Sequence, residues 1–151
     1  MFQKKEIQKT YWAVVKNKPP QKQGTITSYL LKNEKRNKSV AYAHEYKKAK
    51  LATLDYKVMY EFKNYYLLEV VPKTGRHHQI RVQLSTINCP IKGDVKYGFE
   101  RPNLDASIHL HARKVEFKHP VKNTLLKIIA NPAKKDPLWK EASTFFANEF
   151  E

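Results

Sequence analysis

The sequence predicts an α+β fold in which a mixed, mainly antiparallel sheet is flanked by a few helices. Three observations support this class. Several segments alternate apolar and polar residues with the period of a β-strand, short turn-prone segments join neighbouring strands, and two segments carry helix-start signals. At 151 residues the chain has the size of one ordinary domain, so we expect a single globular unit covering residues 1–151.

The first predicted strand is residues 9–15, which are rich in β-branched and aromatic side chains. It ends before a turn-prone segment that contains Pro19, Pro20 and Gly24. The pattern of residues 25–31 then predicts either a second, short strand or a turn of helix. The charged run 32–39 is typical of an exposed loop.

The clearest strand lies near the middle of the chain. Apolar and polar residues alternate with a period of two, which predicts one buried face and one solvated face. Residues 63–64 form the turn, and the apolar run 65–71 returns as a second strand that ends at Pro72. The alternating apolar set is Leu54, Tyr56, Val58, Tyr60 and Phe62.

Two helices are predicted in the second half. After Gly75, an apolar stripe of Ile80, Leu84 and Ile87 has helical spacing, and Thr74 is a plausible cap. Residues 108–132 alternate again as a hairpin around 121–123. A closing helix begins at residue 136, with an aspartate at the cap and a proline at the first position.

Composition favours a nucleic-acid partner. The chain has 29 Lys and Arg against 14 Asp and Glu, a formal net charge of +15 that is spread along its length. The alternative is that excess lysine only keeps the domain soluble. The single cysteine, Cys89, excludes an internal disulfide and a Cys-based zinc site. No apolar run reaches 18 residues and the start is no signal peptide, so we expect a cytoplasmic protein without a membrane segment.

Arginine is concentrated in one segment, residues 74–98. The chain has five arginines, and Arg76 at the predicted turn and Arg81 early in the helix are two of them. A planar guanidinium suits paired recognition of a carboxylate or phosphate. A structural salt bridge to a local acid explains the pattern equally well. The segment reads TGRHHQIRVQLSTINCPIKGDVKYG.

Several motifs, in order, resemble the RluA-type RNA pseudouridine synthases. The family pattern is Thr-Gly-Arg, a variable residue, His-Gln-Ile-Arg, then Pro, Gly-Asp, Tyr-Gly, Leu-His-Ala and His-Pro, with a Lys-x-Tyr strand upstream. All are present over about residues 4–139, although His77 fills a slot where Thr or Ser is commoner. The resemblance implies the C-terminal portion of a pseudouridine synthase catalytic domain. It also implies isomerisation of uridine in ribosomal or transfer RNA, with RNA as partner and with no metal and no organic cofactor.

The family's nucleophile is an aspartate in an upstream His-Arg-Leu-Asp motif, and no such motif occurs in this chain. None of its four aspartates, Asp55, Asp94, Asp105 and Asp136, follows His-Arg-Leu. We therefore expect a truncated part of a larger enzyme that is inactive alone. A degenerate paralogue, acting as a noncatalytic RNA-binding module, is the alternative.

The resemblance also implies roles for five residues. Arg81 would pair with the upstream aspartate and keep it ionised, Tyr11 would stack on the flipped uracil, and Leu110 would form an apolar wall. Arg76 and His78 would shape the turn or contact the RNA backbone. We expect Tyr11 and Arg81 to converge on one cleft, with functional groups within about 10 Å, the reach of one flipped nucleotide.

Overall fold

The computed structural model describes residues 7–147 and shows one antiparallel sheet flanked by helices. Helix α1 spans Gln79–Thr86 and helix α2 spans Pro137–Phe145, with a single 3₁₀ turn at Val95–Tyr97. The strands are β1 Ile7–Val15, β2 Gln23–Asn33, β3 Lys38–Tyr42, β4 Lys50–Glu61, β5 Tyr66–Pro72, β6 Leu110–Lys118 and β7 Leu125–Ile129.

The strands lie in the order β3-β2-β4-β5-β1-β6-β7, and every pairing between them is antiparallel. This confirms the predicted α+β class and its mainly antiparallel sheet. Strand β1 lies between β5 and β6, so residues from distant parts of the chain meet at β1.

The predicted loop at residues 32–39 is wrong in part. Its first residues complete β2, which is a strand rather than a turn of helix, and its last residues begin the edge strand β3. The backbone N–H of Ser39 donates to the Tyr97 hydroxyl at 2.9 Å, and Ser39 is buried. This contact pairs a backbone N–H group of the edge strand β3. The charged residues around Ser39 give no sequence signal for it.

Both faces of the sheet are buried at its centre. Along β1, Ala13 and Val15 pack toward α1, whereas Trp12 and Val14 pack toward α2. We call these the α1 face and the α2 face. The alternation places successive side chains on opposite faces, as the pleat requires.

Strand β4 changes faces along its length, which corrects the prediction of one buried and one solvated face. Its first half buries Leu54 and Tyr56 on the α1 face, but Phe62, just past its end, packs on the α2 face. A β-bulge between Val58 and Tyr60 causes the reversal, because one extra residue inverts the alternation.

The two helices begin differently. Helix α2 begins as predicted: the carboxylate of Asp136 accepts the Trp139 N–H at 2.9 Å, and Pro137 follows it. In helix α1 the N-cap position is His78 rather than Thr74; His78 has a left-handed φ of 53° and makes no side-chain capping hydrogen bond. Within residues 7–147, neither helix is long and apolar enough to cross a membrane.

Candidate functional site

A cavity of about 350 Å³ opens beside the start of α1. All five residues selected from the sequence motifs line it, although they span a hundred positions of the chain: Tyr11, Arg76, His78, Arg81 and Leu110. The volume lies within the range of ligand pockets. Tyr11 and Arg81 therefore share one cleft, as the sequence analysis expects.

The β1–β6 pairing positions the aromatic and aliphatic walls. Leu110 lies opposite Ala13, and Tyr11 lies opposite Ala112. A bulge between Thr10 and Tyr11 interrupts this register, a device that re-aims side chains beside functional sites. Tyr11 and Leu110 are half-buried against the α1 face, so each presents a fixed surface to the cavity.

The turn that carries Arg76 is held by buried Gln79. Its side-chain oxygen accepts the Arg76 N–H at 3.0 Å and the Thr74 hydroxyl at 2.7 Å, while its amide donates to the Thr53 carbonyl at 3.1 Å. Arg76 Nε donates to the Leu51 carbonyl at 3.0 Å. The Thr74 hydroxyl oxygen also accepts the Thr53 N–H at 3.1 Å, so Thr74 fastens the turn to β4 instead of capping α1.

Arg81 forms a two-pronged ion pair with Asp94. Nε and Nη2 each donate to a different carboxylate oxygen at 2.8 Å. The Asp94 side chain is 1% exposed and that of Arg81 is 21% exposed, so the pair is largely desolvated. The hydrogen bonds to Asp94 raise the pKa of Arg81 despite its burial. Among the described residues the acid that pairs with Arg81 is therefore Asp94, and the pairing of Arg81 with an upstream aspartate stays a prediction.

His78 links this pair to the 3₁₀ turn. Its Nε2 lies 3.1 Å from Arg81 Nη1 and its Nδ1 lies 2.7 Å from the Tyr97 hydroxyl. Burial, followed by the nearby Arg81 charge, lowers the His78 pKa from 6.5 to about 4. The ring is neutral at pH 7, so Nε2 accepts from Arg81 and Nδ1–H donates to Tyr97.

Tyr97 completes the network, and no role was predicted for it. The Arg81 guanidinium lies 5.0 Å from the centre of its ring, and its hydroxyl accepts the Ser39 N–H. Tyr97 lies in the Tyr-Gly part of the motif, which was the only sequence signal. The contact with Ser39 joins residues 58 positions apart, a separation that local patterns do not report.

Arg81 keeps donors available for a ligand. A guanidinium has five N–H groups, and among the described residues Asp94 and His78 accept three of them. The remaining donors, with Lys9 and Arg76 on the cavity wall, make the site suited to an anionic group beside an aromatic ring.

Cys89 lies outside this cavity. Its thiol is fully buried, and burial raises its pKa to about 11. It is therefore a small buried core residue rather than a nucleophile.

We expect the free energy of unfolding to fall as the pH is lowered from 6.5 toward 4. In this window the unfolded chain protonates His78 and the folded chain does not, so the stabilisation present above pH 6.5 is lost as pH falls. Urea unfolding at several pH values measures this slope. His78→Gln should make the slope shallower; an unchanged slope in that variant would show that His78 is not its source.

Comparison with known proteins identifies the family. The family model described as RNA pseudouridylate synthase matches residues 1–86, more than half of the chain. The chain is 33% identical over 135 residues to ribosomal large subunit pseudouridine synthase D of Borreliella burgdorferi, covering 89% of this chain and 40% of that protein. It is 31% identical over 163 residues to tRNA pseudouridine synthase C of Salmonella typhimurium, covering 96% of this chain and 61% of that protein.

Solved structures share the fold. Human RNA pseudouridylate synthase domain containing 4 superposes with a TM-score of 0.69 at 23% identity, covering 93% of this chain and 62% of that one. The chain thus spans from about two fifths to three fifths of the length of these proteins. By its family model, its relatives and its ordered motifs, this chain belongs to the RNA pseudouridylate synthase family, of the RluA type.

Proposed function

We propose that this chain is part of an enzyme that isomerises uridine to pseudouridine in ribosomal or transfer RNA, and that the cavity beside α1 holds the target uridine. One observation carries the proposal: side chains selected from five separate sequence positions line a single cavity. Membership of the family and the basic net charge of +15 support RNA as the partner.

The cavity offers what binding a flipped uridine requires. The ring of Tyr11 can stack on the uracil without reading its edges, and Leu110 supplies an apolar wall. Arg81 can stabilise a carboxylate, because it has donors beyond those that Asp94 and His78 use. These are binding and positioning roles, and the reaction also needs a nucleophile to break the glycosidic C–N bond.

The chain's own aspartates are placed unfavourably for that step. All four lie within the described residues and none lines the cavity. Both oxygens of Asp94 are bonded by Arg81, Asp105 accepts from Ser107, and Asp136 caps α2. Asp55 accepts from Thr25. We infer that the 151 residues alone do not form pseudouridine.

The test is a deletion of the gene that encodes this chain. We expect ribosomal or transfer RNA from the deletion strain to lack pseudouridine at one or a few positions, as measured by chromatography of nucleosides from purified RNA fragments. Reintroducing the gene should restore it, whereas residues 1–151 alone should not. An unchanged pseudouridine content would contradict the proposal.

The second candidate is a noncatalytic RNA-binding module, which the absence of an aspartate from the described cavity wall favours. The same experiment separates the two. A module would bind RNA, but its deletion would leave every pseudouridine in place.

Either function predicts that RNA affinity falls steeply as salt rises. Each phosphate contact releases condensed counterions, so log affinity falls linearly with log salt, with a slope of about 0.7 per contacted phosphate in single strands. Titration of a labelled RNA hairpin between low and physiological salt measures the slope. An affinity that does not change over this range would show that the lysines and arginines of this chain do not contact the RNA phosphates.

A further inference from the structure

The α2 face of the sheet is open over β2 and β3. Residues of β2 that point toward α1, such as Ile26 and Leu30, are buried, but Thr27, Tyr29 and Leu31 point the other way. Among the described residues, α2 packs against β1, β5 and the end of β4. Val40 and Leu51 are accordingly exposed on the open part.

An aromatic pair stands at this open edge. Tyr42 ends β3, and its ring stacks on that of Tyr46 with centroids 4.2 Å apart and planes 23° apart. Tyr46 is 39% exposed, and neither ring belongs to the three hydrophobic clusters of the described core. Core packing therefore does not explain the pair.

The sheet fixes the position of Tyr42, one of the two rings in the pair. Tyr42 lies opposite Tyr29 on β2, and Tyr29 lies opposite Leu51 on β4. A ring backed by a regular sheet loses little conformational freedom when a ligand binds, which favours affinity.

Two lysines follow the exposed ring in sequence, and one acid, Glu45, precedes it. The Lys47 ammonium lies 5.1 Å from the centre of the Tyr46 ring, and Lys48 follows it on the same exposed segment. An exposed cation–π contact is weaker than base stacking, so a nucleobase can displace the ammonium from the ring. The displaced ammonium is then available to a phosphate.

This surface lies on the opposite face of the sheet from the cavity beside α1, and the start of β4 is the part of the sheet that the two share. Arg76, on the cavity wall, bonds the carbonyl of Leu51, the residue that begins the row Leu51–Tyr29–Tyr42. Neighbouring strands are about 4.8 Å apart, so Tyr42 lies about 10 Å from Leu51 across the sheet. An RNA that contacts both sites would therefore pass around the start of β4.

We propose that Tyr42, Tyr46, Lys47 and Lys48 form a second RNA-binding site, in which Tyr46 stacks on an unpaired base of the bound RNA outside the cavity and the lysines contact its phosphates. This inference rests on the proposed function, since it assumes RNA as the partner. Stacking accepts any base, so the site would add affinity for single-stranded RNA without reading its sequence.

Binding of two labelled oligomers tests the site: a single-stranded oligouridylate and an abasic phosphodiester oligomer of equal length. We expect Tyr46→Ala to weaken oligouridylate binding by about 5- to 100-fold and to leave abasic binding unchanged, because only the base stacks. Tyr46→Phe keeps the ring and should bind within about twofold of the unaltered chain. Lys47→Gln with Lys48→Gln should weaken both oligomers and flatten the salt slope.

Matched controls come from α2 and the segment before it. Phe145→Ala removes another exposed aromatic ring, and Lys134→Gln with Lys135→Gln removes another consecutive lysine pair. The Phe145 variant should not change affinity, and the Lys134 and Lys135 double variant should weaken binding less than the Lys47 and Lys48 variant does. Thermal unfolding checks that each variant is folded.

Two outcomes would overturn the inference in distinguishable ways. If the unaltered chain binds RNA and a folded Tyr46→Ala variant binds oligouridylate equally well, the second site is wrong and the proposed function stands. If the unaltered chain binds neither oligomer nor structured RNA, the proposed function fails as well. Binding of a protein partner through this surface would also leave oligouridylate affinity insensitive to Tyr46.

Discussion

Arg81→Ala is expected to lower the free energy of unfolding by about 3 kcal/mol, the lower end of the cost of breaking a buried ion pair. The substitution leaves the Asp94 carboxylate 1% exposed and without its two hydrogen-bond donors. The lower end applies because the Arg81 side chain is itself partly exposed. Urea unfolding of the 151-residue chain measures the change.

The exposed pair Lys16–Glu100 provides the matched control. The ammonium nitrogen of Lys16 and a carboxylate oxygen of Glu100 are 2.6 Å apart, but both side chains are about half exposed, so Lys16→Ala should cost far less than Arg81→Ala does. The double variant Arg81→Ala with Asp94→Ala should recover much of the loss, because no unpaired charge remains. Equal costs for Arg81→Ala and Lys16→Ala would show that the Arg81–Asp94 pair is not buried as described.

Arg81→Lys is expected to reduce pseudouridine formation by at least about 100-fold when the whole gene is expressed. Lysine keeps the positive charge but cannot hold Asp94 with two parallel bonds and also offer donors to a second carboxylate. A hundredfold loss corresponds to about 2.7 kcal/mol of transition-state stabilisation. The measurement is the initial rate of pseudouridine formation on RNA from the deletion strain.

Two variants at Tyr11 accompany this measurement. Tyr11→Phe keeps the ring that would stack on uracil, so its rate should stay within a few fold of the unaltered enzyme. Tyr11→Ala removes the ring and should slow the reaction by about 10-fold or more.

Full activity of a folded Arg81→Lys variant would show that the reaction does not need the arginine at position 81.

The sequence predicted those parts of the fold in which local periodicity and tertiary packing agree. Strands β1, β4 and β5 alternate or are continuously apolar because the centre of the sheet is covered on one or both faces. Strand β3 was missed because an edge strand in a charged segment has no such pattern, and its position depends on the Ser39–Tyr97 contact. The bulge in β4 was missed because an inserted residue leaves no local signal.

For the site, the motifs selected residues that line one cavity but did not identify which residues they contact. Arg81 and Asp94 are 13 positions apart, and spacing alone does not identify the acid that faces a given arginine. Thr74 was expected to cap α1 because it precedes the helix. Its hydroxyl instead donates a hydrogen bond to the side-chain oxygen of buried Gln79. In both cases the contact depends on a side-chain hydrogen bond that the sequence pattern does not report.

The central claim is that the cavity beside α1 binds the uridine, and an NMR titration of the 151-residue chain tests it most directly. A short hairpin RNA with one unpaired uridine is added to the labelled protein, and the same hairpin without that base serves as the reference. We predict that the difference between the two titrations is largest at the Tyr11 ring, the Arg81 Nε–H and the Leu110 methyl groups. Saturating binding that leaves these three signals unchanged would contradict the account.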